Sequence, residues 1–107
     1  MPTDTSHTAP ADAIAHQDRV AFEADLEQQG FVEIQTREIL ADTHNTLHAH
    51  PFEVRALMLE GELSLNCDGE TRTYRTGEVF TMTAGKEHVE QFGGTGARYL
   101  VGRRYPG

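Results

Sequence analysis

The stretch LHAHPFEVRALMLEGEL, which runs from Leu47 to Leu63, decides the fold of this 107-residue chain. It is an apolar-rich run that Pro51 interrupts and that Gly61 is predicted to end. Beyond Gly61, at positions 63 to 67, apolar side chains alternate with polar ones. A period of two residues predicts a strand with one buried and one wet face. This part of the chain therefore indicates β-structure.

Turn signals continue this pattern towards the C-terminus. Asp68-Gly69 is a dipeptide typical of two-residue hairpin turns, and further glycines separate short apolar runs. The other runs predicted as strands are 31–39, 71–75, 79–83, 88–92 and 97–104, and residues 93–96 are predicted to form a hairpin loop. Many short strands at this spacing predict an all-β sandwich or barrel.

The N-terminal part of the chain has a different character. Residues 1–18 are rich in Thr, Ala, Asp, Ser and Pro without a sustained apolar period, which predicts a flexible tail. From Arg19 to Gln29 apolar residues recur at roughly helical spacing, and Gly30 follows as a stop signal. We therefore predict a tail over 1–18 and one domain over 19–107, whose short helix lids the barrel or packs on its outside.

Charge and composition exclude several classes of function. Nine basic residues against seventeen acidic ones give a formal net charge of −8, so we expect neither a nucleic-acid partner nor an anionic membrane surface. The longest apolar run is too short to cross a bilayer, and the N-terminus lacks the pattern of a secretory signal, so we expect a cytoplasmic location. Cys67 is the only cysteine, which rules out an internal disulfide and favours a packing thiol.

Two histidines in the opening stretch are candidate metal ligands. His48 and His50 lie two residues apart on a predicted strand, so their side chains point to the same face. Two imidazoles placed in this way can share one ion at nitrogen–metal distances of about 2.0–2.1 Å. The pair alone is a weak indication, because such pairs are more often solvated or hydrogen-bonded, and it requires a third ligand from a neighbouring strand. We interpret His44, four residues earlier, as a surface residue.

Two segments together resemble the two motifs of the cupin family. The opening stretch resembles the first motif: a His-x-His pair, a carboxylate a few residues later, and a strand that ends in Glu-Gly-Glu. The segment GEVFTMTAGKEH, from Gly77 to His88, resembles the second, with Thr83 in place of the usual proline. The resemblance covers about 31–104 and is to small, single-domain bacterial cupins of the type 2, RmlC-like group.

This resemblance implies both a fold and a metal site. The fold is a double-stranded β-helix, also called a jelly-roll barrel, preceded here by the short helix. In cupins the matching histidines hold a metal ion inside the mouth of the barrel, so the resemblance implies that His48, His50 and His88 bind one divalent transition metal. It also implies a homodimer, since small cupins often pair through edge strands and unpaired edges need covering.

The carboxylate ligand is where the chain departs from the family pattern. The family's metal-binding Glu stands four residues after the second histidine, a position that Val54 takes here. Glu53 is adjacent, but strand alternation turns it to the opposite face unless Pro51 introduces a bulge. Glu90 is the other candidate because it shares the face of His88. A site of three histidines completed by water is a third alternative.

These ligands also bear on the metal and the pocket. A set dominated by imidazole favours Fe, Zn, Ni or Cu over Mn, which prefers carboxylate oxygen. Candidate pocket-lining residues are Phe52, Arg55, Phe80 and Met82, although core packing explains the apolar ones equally well. Arg55 either recruits a substrate carboxylate or lies on the wet face of the sheet.

Two functions follow from this pattern, and the sequence does not choose between them. One is a metal-dependent enzyme that acts on a small organic molecule. The other is a non-catalytic module that binds a small ligand or a metal, such as a sensor, with or without an ion. A weaker third alternative is a dimer that contacts another protein through its outer sheet.

Overall fold

The computed structural model describes residues 16–106, which form one helix and six strands. The elements are α1 (His16–Gln28), β1 (Val32–Ile39), β2 (His44–His48), β3 (Glu53–Cys67), β4 (Glu70–Arg75), β5 (Val79–Met82) and β6 (His88–Arg104). The all-β class with one short N-terminal helix is thus confirmed. The helix begins at His16 rather than Arg19, so residues 16–18 are helical, and the rest of the predicted tail lies outside the described residues. No helix in residues 16–106 is long and apolar enough to span a membrane.

Two long strands, β3 and β6, run through both sheets of the barrel. They pair antiparallel over their whole length, from Glu53 opposite Arg104 to Asn66 opposite Val89. One sheet has the order β1–β6–β3–β5 and the other has the order β2–β6–β3–β4, and every pair is antiparallel. Two four-stranded antiparallel sheets joined by shared strands make a jelly-roll barrel.

The shared strands pass from one sheet to the other at glycines. We predicted that Gly61 ends a strand and that residues 93–96 form a hairpin loop, and both predictions are wrong because β3 and β6 continue through these positions. The pairing register shifts beside Gly61. A Cβ on Gly61 would lie 2.0 Å from the carbonyl oxygen of Gly96. These glycines therefore allow two bent strands to approach closely rather than to turn.

The predicted turn at Asp68-Gly69 is confirmed. Strands β3 and β4 pair up to Cys67 opposite Glu70, which leaves two residues in the loop. Both have positive φ angles, 55° at Asp68 and 81° at Gly69, as a type I′ turn requires. This turn matches the right-handed twist of its flanking strands and fixes their register.

Alternation along β3 divides its side chains between the barrel interior and the outside. Ala56 and Met58 point inward and are fully buried at 0% exposure. They belong to the main core, which also includes Phe80, Phe92 and Tyr99. The intervening leucines of β3 point outward, where α1 lies. The even-numbered residues at the start of β3 therefore face the same interior as the histidine pair.

The helix α1 packs on the outer face of the barrel, one of the two positions that we predicted. Its single buried residue is Leu26, at 0% exposure. Beneath the helix lies a small second core of Leu57, Leu59 and Leu100. Burial of one leucine contributes about 1.5–3 kcal/mol, so a narrow apolar contact attaches the helix to the barrel.

Candidate metal centre

The three predicted histidines meet at one end of the barrel interior. His48 is the last residue of β2 and pairs directly with His88, the first residue of β6. His50 follows in the short break between β2 and β3. The ring centroids lie 4.3 Å apart for His48 and His88, 4.9 Å for His48 and His50, and 5.3 Å for His50 and His88. Strands distant in sequence thus bring three imidazoles together.

Backbone hydrogen bonds fix the orientation of two of these rings. The Nδ1 atom of His88 lies 2.9 Å from the carbonyl oxygen of Lys86, and that of His48 lies 2.6 Å from the carbonyl oxygen of Thr46. A carbonyl oxygen only accepts, so each Nδ1 carries a proton and donates it. The Nε2 atom of each ring is left with its lone pair, which is the arrangement of a metal-binding histidine.

Glu90 supplies a carboxylate to the same cluster. Potential ligand atoms of His48, His50, His88 and Glu90 all lie within 4.8 Å of one another. One oxygen of Glu90 lies 3.4 Å from Nε2 of His88. The other accepts a hydrogen bond of 2.6 Å from the side-chain amide of Asn45. Of the two carboxylates that the sequence left as alternatives, the structure brings only Glu90 into the cluster.

Glu53, a candidate fourth ligand, and Arg55, a candidate pocket residue, both lie outside the histidine cluster. The Glu53 carboxylate accepts hydrogen bonds of 3.0 and 2.7 Å from the Arg104 guanidinium. Arg55 points to the outer face and donates to Asp25 of α1 at 2.7 Å. The break at Pro51 leaves the alternation intact, so Val54 faces the interior and its charged neighbours face away.

A cavity of about 150 Å³ opens next to the histidines. Of the predicted lining residues, Phe52 and Phe80 contribute to its wall, whereas Met82 is buried in the main core instead. A cavity of about this volume can hold a molecule the size of benzene. A wider depression of about 540 Å³ lies on the surface near Glu62 and Arg75. It contains no residue of the histidine cluster, so we place the candidate site at the smaller cavity.

Several polar residues of the cavity wall were not predicted from the sequence. Strand β1 contributes Gln35 and Arg37, strand β2 contributes Asn45, and β6 contributes Arg103. Tyr99 of β6 also lines the cavity. No local motif marks these residues. Only the pairing of β1 and β2 with β6 places them beside the histidines.

Burial shifts the pKa of two groups in the cavity. It lowers the pKa of His50 below the usual 6.5, and the neighbouring His48 and His88 lower it further while Glu90 opposes them. A lowered pKa keeps this imidazole neutral, the form that binds metals. Burial also raises the pKa of Tyr99 above the usual 10.0, so the phenol, already protonated at neutral pH, becomes a weaker acid.

The donor set fits a transition-metal ion. His88 is 1% exposed, and its Nε2 lies 3.4 Å from the Glu90 carboxylate. Imidazole nitrogens and one carboxylate oxygen are common ligands of Zn²⁺, Fe²⁺, Ni²⁺ and Cu²⁺. His44, which we interpreted as a surface residue, is exposed and forms a hydrogen bond of 2.8 Å with Gln91.

Comparison with known proteins supports the fold through structure rather than sequence. No family model matches the sequence, and no curated protein is significantly similar to it. An RmlC-like cupin from Shewanella frigidimarina superposes with a TM-score of 0.59 and 19% identity, over 69% of this chain and 66% of its own. This chain thus spans just under two thirds of that protein.

Two further solved structures are similar over more of the chain. A protein of unknown function from Rhizobium leguminosarum gives a TM-score of 0.64 at 22% identity, over 79% of this chain and 92% of its own. A predicted oxalate decarboxylase from Thermotoga maritima gives 0.60 at 15% identity, over 77% and 73%. At these identities the similarity establishes the architecture and leaves the chemistry to the residues of the site.

Proposed function

Given the cupin fold of this chain, we propose that His48, His50, His88 and Glu90 bind one divalent transition-metal ion inside the barrel. The observation that supports this most is the orientation of the rings. Two backbone carbonyl oxygens hold the Nδ1 protons of His48 and His88, which leaves Nε2 of each ring free to bind. One ligand atom from each of the four residues lies within 4.8 Å of the others. Lone pairs oriented in this way beside a carboxylate are the arrangement that a metal ion satisfies.

The ligand set favours Fe²⁺, Zn²⁺, Ni²⁺ or Cu²⁺. From the sequence, Mn²⁺ was disfavoured because Val54 stands where a carboxylate ligand is usual. Glu90 supplies a carboxylate from another strand, so Mn²⁺ belongs among the ions to be tested. Asn45 holds one Glu90 oxygen and thereby directs the other towards the histidines, as hydrogen-bonding partners of metal ligands do.

We further propose that a small organic molecule binds in the adjacent cavity. A bound ion would act as a Lewis acid on an oxygen of that molecule. The apolar rings of Phe52 and Phe80 would exclude water from it. The phenol of Tyr99, which also lines the cavity, would donate a hydrogen bond at the same wall. The small volume of the cavity favours a compact ligand.

A non-catalytic module that binds a metal or a small ligand is the second candidate function. The same cavity and the same ligands would serve a sensor, and the fold hosts both kinds of protein. Turnover of a bound compound by the metal-loaded protein would favour the enzyme over the sensor. The cytoplasmic location, the homodimer and the division into tail and domain stay predictions from the sequence.

Elemental analysis of the protein and of three histidine variants tests the metal site. The unmodified protein is expected to contain close to one transition-metal ion per chain, and His48→Ala and His88→Ala to lose it. His44→Ala is the matched control, because His44 lies on the same strand as His48 but bonds Gln91 outside the cluster. Absence of metal after reloading with each candidate ion, or equal loss in the control, contradicts the proposal.

A further inference from the structure

The wall of the cavity is locally positive in a chain that is strongly negative. The chain carries a formal net charge of −8. The charged side chains that line the cavity, apart from histidine, are Arg37, Arg103 and Glu90. The lining thus includes two guanidinium groups and one carboxylate. That carboxylate accepts a hydrogen bond from Asn45 and lies beside His88. This reversal of charge favours an anionic occupant.

The two arginines differ in what already binds them. Arg103 donates to Glu33 at 3.2 Å and its guanidinium lies 4.3 Å from the centroid of the Phe52 ring. For Arg37, no acidic side chain within residues 16–106 comes within 4.0 Å. Its five donors are therefore available to a ligand from the side of the cavity. The ordinary alternative is that Arg37 is a surface arginine that binds no ligand. The position of Arg37 in the fold decides between these two interpretations.

Arg37 lies where it can reach a ligand that also contacts the metal site. It is directly opposite Tyr99 in the β1–β6 register. Residues opposite one another in an antiparallel pair point to the same face, and their Cβ atoms are about 4.5–5.5 Å apart. Both line the cavity that His48, His50 and Glu90 also line. A molecule that fills this cavity can therefore touch the guanidinium, the phenol and the histidine end together.

We propose that the ligand of this cavity is a small organic carboxylate whose carboxylate group binds the Arg37 guanidinium. The planar fork of arginine matches the two oxygens of a carboxylate, and such charge-assisted pairs are strong and geometrically selective. The limited volume, about 150 Å³, restricts the ligand to a compact acid. The inference rests on the proposed function, because the far end of the same molecule would meet the metal-binding cluster.

The test is a calorimetric titration of the full chain with malonate, acetate, pyruvate and benzoate, and with malonamide as a neutral counterpart of malonate. Each titration is made with zinc-loaded protein and with protein treated with EDTA. Arg37→Gln is compared with Arg72→Gln, which removes the same charge from an exposed position on β4 outside the cavity. Inorganic phosphate is titrated as the alternative anion.

We expect at least one carboxylate to bind, and Arg37→Gln to weaken it about tenfold, which corresponds to about 1.4 kcal/mol. Arg72→Gln should change the affinity less than twofold, and malonamide and phosphate should bind more weakly than malonate. Equal weakening by both arginine variants, tighter binding of phosphate, or no binding that depends on Arg37 overturns the inference. If no metal binds but the EDTA-treated protein still shows Arg37-dependent binding, the proposed metal function fails and the carboxylate site stands. If metal binds through the histidines but no carboxylate binding depends on Arg37, the carboxylate site fails and the proposed metal function stands.

Discussion

Replacement of Glu90 by glutamine should weaken metal binding far more than the same change at Glu53. If the ion lies among the ligand atoms, it is no more than 4.8 Å from the Glu90 carboxylate. At that distance a unit charge attracts a divalent ion by about 1.7 kcal/mol in water and about 7 kcal/mol at an effective dielectric constant of about 20. The lower figure already corresponds to about a 20-fold loss of affinity. Glutamine keeps the shape of the side chain and removes the charge.

Competition with a chelator of known affinity, followed by absorbance, measures this effect. Glu53→Gln is the matched control, because its carboxylate sits on the opposite face and bonds Arg104 at 2.7 Å. We expect Glu90→Gln to lose at least about 20-fold in affinity and Glu53→Gln to stay close to the unmodified protein. A loss confined to Glu53→Gln, or equal losses in both variants, refutes the assignment of the carboxylate.

Three further predictions concern stability. Gly61→Ala should cost about 1–3 kcal/mol more than Gly85→Ala in chemical denaturation, since both residues have positive φ but only a Cβ on Gly61 meets backbone, at 2.0 Å; equal costs would show that the strands do not cross tightly there. Leu26→Ala should lower the free energy of unfolding by about 2–5 kcal/mol. Val20→Ala, at a position that is 52% exposed, should change it by less than about 0.5 kcal/mol, and a larger loss in Val20→Ala than in Leu26→Ala would contradict the packing of α1. In the presence of EDTA, stability should fall as the pH drops below 6.5. Burial lowers the pKa of His50, so below that pH the unfolded chain binds a proton that the folded chain does not. His50→Gln should flatten this fall, and an unchanged pH dependence in the variant would argue against a buried, neutral His50.

The sequence predicted the features that depend on local chemistry. The type I′ turn follows from Asp68-Gly69 alone, because those two residues tolerate positive φ. The face shared by His48 and His50 follows from alternation, and the position of His88 follows from the resemblance to the second cupin motif. The structure places all three histidines in one cluster.

The features that the sequence did not predict depend on contacts between distant strands. Glycines such as Gly61 and Gly96 are typical of turns, yet here they allow close approach of β3 to β6. The local sequence does not indicate that contact. The choice of Glu90 depends on Asn45, which reaches it only through the β2–β6 register. Arg37 likewise has the pattern of a wet strand face until its pairing with Tyr99 places it at the cavity.

The coordination of the bound ion tests the central claim most directly. X-ray absorption spectroscopy of the zinc-loaded protein counts the imidazole groups around the metal and measures their distances. We predict three imidazole nitrogens at about 2.0–2.1 Å together with oxygen. A shell made only of oxygen would contradict a metal centre built from His48, His50 and His88. So would a sulfur ligand, supplied by Cys67, at about 2.3 Å from the metal ion.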